Sequence, residues 1–264
     1  MIETIVNEAL DTQLLYEPMP NGAKGSVIIC AGGAYVWLSD REEWPVARCY
    51  AMAGYQTYIL KYSTSEKGPL GTLPLRQLAW AVKTVRARAL DEKSFVAVCG
   101  FSAGGHLCAS LGVHWQDAEV LPEANQALIR PDAMILCYAA TGVQNFKRID
   151  ATEFRSRLYG EDEALGKYLD CVEHVSEKTP PAFLWHTAAD DMVPVQMSLD
   201  FAQALLRSGV FTEFHLFPDG LHGLSIATPD VDDPPKGRYA DAHTASWVPL
   251  SCQWLEKVAA RRKE

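Results

Sequence analysis

Five consecutive residues, Gly100-Phe101-Ser102-Ala103-Gly104, carry the sharpest chemical signal in the chain. A β-strand predicted over Phe95–Cys99 leads into them, and a helix predicted over Ala103–Val113 leads out. A serine at such a strand–turn–helix junction sits on a tight, strained turn. The flanking glycines keep side chains off the neighbouring backbone, and the turn lifts Oγ above the sheet. The helix N-terminus then points its positive end at the reaction centre. Ser102 is therefore the candidate nucleophile, with a spectator serine in a glycine-rich turn as the alternative.

A serine hydroxyl attacks slowly until a base removes its proton. Seven histidines compete for that role. His106 and His114 fall in or at the end of the helix after Ser102 and are expected to pack or face solvent. His174 lies in an irregular stretch, His215 within a predicted strand, and His243 at the start of the last helix. His222 stands apart, in Pro218-Asp219-Gly220-Leu221-His222-Gly223, just beyond the last predicted strand. A loop there can carry an imidazole across the sheet to Ser102.

The imidazole in turn needs a carboxylate to fix its tautomer and stabilise its protonated form. The run His186 to Pro194 follows the strand Ala182–Trp185 and offers Asp190 and Asp191. They are adjacent and cannot point the same way, and spacing alone does not choose between them. Acyl transfer also needs N–H donors for the developing oxyanion. The residue after the nucleophile, Ala103, is one expected source, and the small-residue loop Ala31-Gly32-Gly33-Ala34-Tyr35 is the other.

The elements that must hold these residues alternate. Predicted strands at Ser26–Cys30, Tyr55–Tyr62, Phe95–Cys99, Ala133–Tyr138, Ala182–His186 and Thr212–Phe217 are near-continuous apolar runs. Predicted helices at Arg41–Ala53, Pro74–Leu90, Ala103–Val113, Val195–Ser208 and Thr244–Ala260 lie between or after them. Apolar strands alternating with helices imply an α/β class, a mostly parallel twisted sheet with helices on both faces. Ligands bind such sheets at the carboxyl ends of the strands, where Ser102, the Asp190-Asp191 pair and His222 all fall. Two stretches break the rhythm. Residues 141–179 are either a small cap over the sheet or plain connections. Residues 225–243, rich in Asp, Pro and Gly, read as an irregular loop, and each of the two stretches either borders a substrate pocket or is a plain connection. The expectation is one domain over residues 1–264.

The motifs together resemble the α/β-hydrolase fold esterase/lipase family, in the branch with a His-Gly-Gly-Gly-type oxyanion motif. Within it, small bacterial acetyl-esterase and feruloyl-esterase-like proteins, some of them carbohydrate esterases, are the nearest in character. The matching stretches are Ala31–Tyr35 with its continuation through Glu42, Gly100–Gly104, His186–Pro194 and Gly220–Gly223. The family pattern His-Gly-x-x-Asp-x-x-Val-Pro falls on His186 through Pro194. The resemblance thereby implies Asp190 as the acid, with Gly33 and Ala34 as oxyanion donors beside Ala103. Three positions depart from the pattern: Ala31 stands for a histidine, Ala34 for a third glycine and Thr187 for a glycine. A backbone N–H survives each change.

The resemblance implies a serine carboxylesterase that cleaves short-chain esters, acetyl groups on carbohydrates among them, through an acyl-enzyme and without cofactor or metal. A serine peptidase or aminopeptidase would use the same three residues, and a binding protein would use the fold without the chemistry. Tyr35, Trp37, Phe101 and Trp185 lie near the motifs and are candidates to wall a pocket, with core packing as the alternative.

Bulk properties narrow the partners. A chain of 264 residues, 48% hydrophobic and 22% charged, has the composition of a globular domain. The net charge of −9 disfavours nucleic acid and anionic lipid. No stretch reads as a signal peptide or a membrane span. Seven cysteines without a C-x-x-C pair suggest buried thiols in a reducing compartment. The expectation is a cytoplasmic protein with a small-molecule ester as its partner, and a homodimer is the default oligomer.

Overall fold

The computed structural model describes residues 1–20, 22–65, 67–88, 95–142 and 152–262. Among the described residues, eight strands form one sheet in the order β1-β2-β4-β3-β5-β6-β7-β8. They are β1 (Glu3–Asn7), β2 (Thr12–Tyr16), β3 (Ser26–Cys30), β4 (Gln56–Lys61), β5 (Val96–Phe101), β6 (Ala133–Cys137), β7 (Ala182–Thr187) and β8 (Thr212–Phe217). The first two pair antiparallel, β2 joins β4 antiparallel, and every later pairing is parallel.

The helices are α1 (Trp44–Met52), α2 (Leu73–Arg88), α3 (Ala103–His114), α4 (Gln126–Ile129), α5 (Thr152–Leu158), α6 (Glu163–Tyr168), α7 (Gln196–Arg207), α8 (Ala242–Ala245) and α9 (Trp247–Arg261). They divide into two layers because strand side chains alternate between faces. Ile28, Val98, Leu136 and Leu184 face one core with Leu78 and Val82 of α2, Leu107 and Leu111 of α3, and Phe201 and Leu205 of α7. Ile29, Cys99, Ile135 and Trp185 face the other with Val46 and Tyr50 of α1 and Trp254 and Leu255 of α9. Burial of both faces explains the unbroken apolar runs, and each fully buried aliphatic or Phe side chain contributes roughly 1.5–3 kcal/mol.

The hairpin β1–β2 has no counterpart among the sequence expectations. The expected helix over Arg41–Ala53 is split into a 3-10 turn at Asp40–Glu42 and α1, with Pro45 in the first turn of α1, where its missing N–H is tolerated. The expected closing helix is divided at Ser246 into α8 and α9, and Asp241 caps α8 by accepting from the His243 and Thr244 N–H groups. Within 141–179, residues 143–151 lie outside the described residues. The remainder holds α5, α6 and a 3-10 turn at Cys171–His174, and packs Phe154, Leu158, Leu169 and Cys171 onto the α2–α3 core. The loop 225–243 contains two 3-10 turns and a bridge between Asp233 and Arg238. No described helix is long and apolar enough to cross a membrane. All seven cysteines are free, five of them buried.

Candidate active site

Ser102 ends the turn between β5 and α3 with φ 52° and ψ −114°. A non-glycine residue in that region is strained by about 1–3 kcal/mol, and its surroundings hold it there. Its N–H donates to the Cys137 carbonyl at 3.0 Å, and its own carbonyl accepts from His106 N–H at 2.9 Å. Gly104 allows the close crossing of α3 over β3: a Cβ there would lie 2.1 Å from the Cys30 carbonyl oxygen.

His222 reaches over from the loop after β8. Its Nε2 is 2.9 Å from Ser102 Oγ and its Nδ1 is 2.8 Å from Asp190 Oδ2. The carboxylate fixes the proton on Nδ1, which leaves Nε2 to accept from the serine hydroxyl. Ser102, His222 and Asp190 thus form one continuous hydrogen-bonded chain.

Asp190 lies in the turn after β7, and its side chain is only 1% exposed. It is fully bonded. Oδ2 also accepts from His186 Nε2 at 3.1 Å, and Oδ1 accepts the Met192 and Val193 N–H groups at 2.9 and 2.8 Å. Burial pushes its carboxyl upward, but the hydrogen bonds from His186 and His222 outweigh burial and hold it well below the usual carboxylate range. His186 is itself fixed, because Ser198 Oγ lies 2.8 Å from its Nδ1. The neighbouring Asp191 accepts the backbone N–H of His222 at 3.1 Å, so it steadies the loop rather than the ring.

The loop after β3 faces Ser102 from the other side. Gly33 (φ 132°), Ala34 (φ 53°) and Tyr35 (φ 61°) all have positive φ. Among the described residues, the Gly33 and Ala34 N–H groups donate to no protein acceptor. The Ala103 N–H opens α3, where first-turn donors have no partner within the helix. A cleft of about 90 Å³ opens beside Ser102, lined in part by Gly33, Ala34, Trp37, Ser102, Met192 and His222.

Of the four aromatic pocket candidates, only Trp37 lines this cleft; it is 49% exposed, with the Lys236 ammonium 5.4 Å from its ring centre. Tyr35, Phe101 and Trp185 are core residues. Tyr35 turns inward and its hydroxyl bonds His106 Nδ1 at 2.8 Å. Phe101 and Trp185 occupy strand positions that face the α1–α9 layer, where both pack on Trp247. Nearness in sequence to a motif does not place a strand residue on the motif's face.

The sequence reading missed Glu42, Met192, Gly223 and Arg238, which also line the cleft. Arg238 comes from the irregular loop, held by Asp233 at 3.2 Å. The Asp, Pro and Gly content of 225–243 was the only signal for it. Among the described residues, no group of three or more His, Cys, Asp or Glu side chains could hold a metal ion.

Comparison with known proteins agrees with this architecture. The chain is 33% identical over 208 residues to endo-1,4-beta-xylanase B of Butyrivibrio fibrisolvens, a match spanning 76% of this chain and 32% of that protein. The chain therefore spans about a third of that relative's length. An acetyl ester-xyloside bifunctional hydrolase from Caldicellulosiruptor lactoaceticus superposes with a TM-score of 0.77 at 30% identity, over 94% of this chain and 88% of the other. A carboxylesterase from Lactobacillus plantarum superposes with a TM-score of 0.82 at 27% identity, over 97% and 96%. The BD-FAE family model matches residues 14–205. With that match over most of its length and with the sheet described above, the chain belongs to the BD-FAE family and has the α/β-hydrolase fold.

Proposed function

We propose that the protein is a serine carboxylesterase that removes short acyl groups, acetyl above all, from carbohydrate esters. The observation that carries this reading is the unbroken chain Ser102 Oγ–His222–Asp190 at 2.9 and 2.8 Å, opening on a cleft with unbonded N–H groups. In the proposed reaction, His222 Nε2 takes the Ser102 proton as Oγ attacks the ester carbonyl. Asp190 stabilises the imidazolium without taking its proton. The N–H groups of Ala103, Gly33 and Ala34 receive the oxyanion, and each such donor is commonly worth about 10²–10³ in rate. The tetrahedral intermediate collapses, His222 returns the proton to the leaving alcohol, and an acyl-Ser102 remains. Water, deprotonated by His222 Nε2, then attacks the acyl carbonyl, and as the second tetrahedral intermediate collapses the bond to Oγ breaks, His222 returns that proton to Ser102, and the acid is released.

Size supports a short acyl group. The cleft beside Ser102 is small, about 90 Å³. That size favours a small acyl group such as acetyl. Carbohydrate as the alcohol is supported by the relatives named for xylan or xyloside hydrolysis and by the half-exposed Trp37 at the cleft.

Hydrolysis of p-nitrophenyl esters from acetate to decanoate, by wild type and by Ser102→Ala, tests the reading. Wild type is expected to favour acetate, with the serine variant reduced to background and acetate released from acetylated xylo-oligosaccharides. No cleavage of any ester, alongside cleavage of acyl-amino-acid amides, would replace the esterase reading with a peptidase.

A further inference from the structure

We infer that Glu42 is a positioning residue, setting the distance between the oxyanion N–H groups and the loop that carries His222. The inference rests on the Ser102–His222–Asp190 reading above and extends it to a carboxylate whose hydrogen bonds go to Gly32 and Tyr138 and not to the triad.

Glu42 is 3% exposed. A buried carboxylate is costly unless its oxygens are bonded, and here each oxygen serves a different loop. Oε2 accepts the Gly32 N–H at 2.7 Å, immediately before Gly33 and Ala34. Oε1 accepts the Tyr138 hydroxyl at 2.6 Å. That hydroxyl oxygen in turn accepts the Ser225 N–H at 3.0 Å, three residues beyond His222. The Tyr138 ring stands edge-on to His222 with centroids 5.0 Å apart. Gly32 → Glu42 ← Tyr138 ← Ser225 is therefore a continuous tie from one side of Ser102 to the other.

The preceding residue reinforces it. Arg41 donates through Nη1 to the Gly223 carbonyl at 2.8 Å and through Nε to the Val231 carbonyl at 2.7 Å. Its own carbonyl accepts Ser225 Oγ at 2.6 Å. An adjacent arginine and glutamate thus grip the loops after β3 and β8 from a single 3-10 turn. Burial and Glu42 both raise the Tyr138 hydroxyl pKa well above its usual value, so it remains a donor at neutral pH. A packing role alone would need none of these bonds, because an apolar side chain fills the same space. Displacing a reacting group by about 1 Å can cost 10² in rate.

The test compares Glu42→Gln, Tyr138→Phe and the double variant on p-nitrophenyl acetate, with Ser102→Ala as control, well below each melting temperature. Gln has one acceptor oxygen for two donors, and Phe keeps the ring on His222 while cutting the tie. The expected result is a kcat loss of roughly 10–100-fold for each, with KM within about threefold of wild type. The double variant should lose less than the product of the singles, because both cut one chain. Wild-type kcat in both folded variants, or losses that multiply, would overturn the inference while an inactive Ser102→Ala leaves the triad standing. An active Ser102→Ala would instead remove the triad reading. Should Glu42→Gln fail to fold, Tyr138→Phe, which removes one atom, decides alone: a kcat loss at constant KM upholds the tie, and no loss refutes it.

Discussion

Two buried histidines, four and 120 residues after Ser102, are bonded through both ring nitrogens, yet the structure suits them to opposite work. His222 lies between a carboxylate and a serine hydroxyl. His106 lies between the Tyr35 hydroxyl at 2.8 Å and the Leu169 carbonyl at 2.9 Å, with Phe154 packed edge-on at 5.5 Å. Burial drives the His106 pKa down to about 4, against a smaller upward pull from the Leu169 carbonyl. It stays neutral and ties α3 to the segment around α6. The difference lies in the partners: His222 bridges a carboxylate and a serine hydroxyl, whereas the hydroxyl and carbonyl around His106 satisfy its neutral ring.

The comparison breaks most sharply by exchange of the two rings for glutamine. His222→Gln, like Ser102→Ala, is expected to lower kcat by about 10³–10⁶ at nearly unchanged melting temperature. His106→Gln is expected to keep kcat within a few-fold and to lose about 1–3 kcal/mol of stability, read by urea unfolding. An equal kcat loss in folded His106→Gln would erase the distinction. Asp190→Asn should cost about 10²–10⁴ in kcat, because an amide can hold the ring in the wrong tautomer; kcat measured at a fixed pH checks it.

Stability against pH sharpens the same contrast. The unfolded chain protonates His106 near 6.5 and the folded chain near 4. Its contribution is therefore complete above pH 6.5 and drains as pH falls toward 4, by up to about 1.4 kcal/mol per pH unit. His114, whose pKa is also lowered by burial, acts in the same direction. Asp190 has a depressed carboxyl, so its contribution survives through this window and is lost only in stronger acid. Unfolding free energies between pH 7 and 4 should show a shallower slope in His106→Gln than in wild type; an unchanged slope would contradict the assignment. The smallest effect expected is a few-fold fall in kcat for Asp191→Asn, since that exposed side chain only steadies the His222 N–H.

Most of the parallel sheet was legible in the sequence because β3, β5, β6 and β7 bury every residue. The hairpin β1–β2 was not. Strand β1 lies at the sheet edge with mostly exposed residues, so no apolar run marks it. The strand ends also marked where a candidate site must fall, which made the meeting of Ser102 and His222 readable from motif and order. Asp190 over Asp191 needed the family pattern, because both sit in one turn. Glu42, Tyr138 and Ser225 form no motif: their contacts join residues 10, 96 and 87 positions apart, and only the folded chain brings them together.

The most direct measurement of the central claim is covalent capture of the nucleophile. Wild type and His222→Gln are treated with a p-nitrophenyl phosphonate, and the modified peptide is located by mass spectrometry. The predicted result is a single adduct on Ser102, formed orders of magnitude faster in wild type than in His222→Gln. An adduct on another residue, or equal rates in the two proteins, would contradict a Ser102 nucleophile activated by His222.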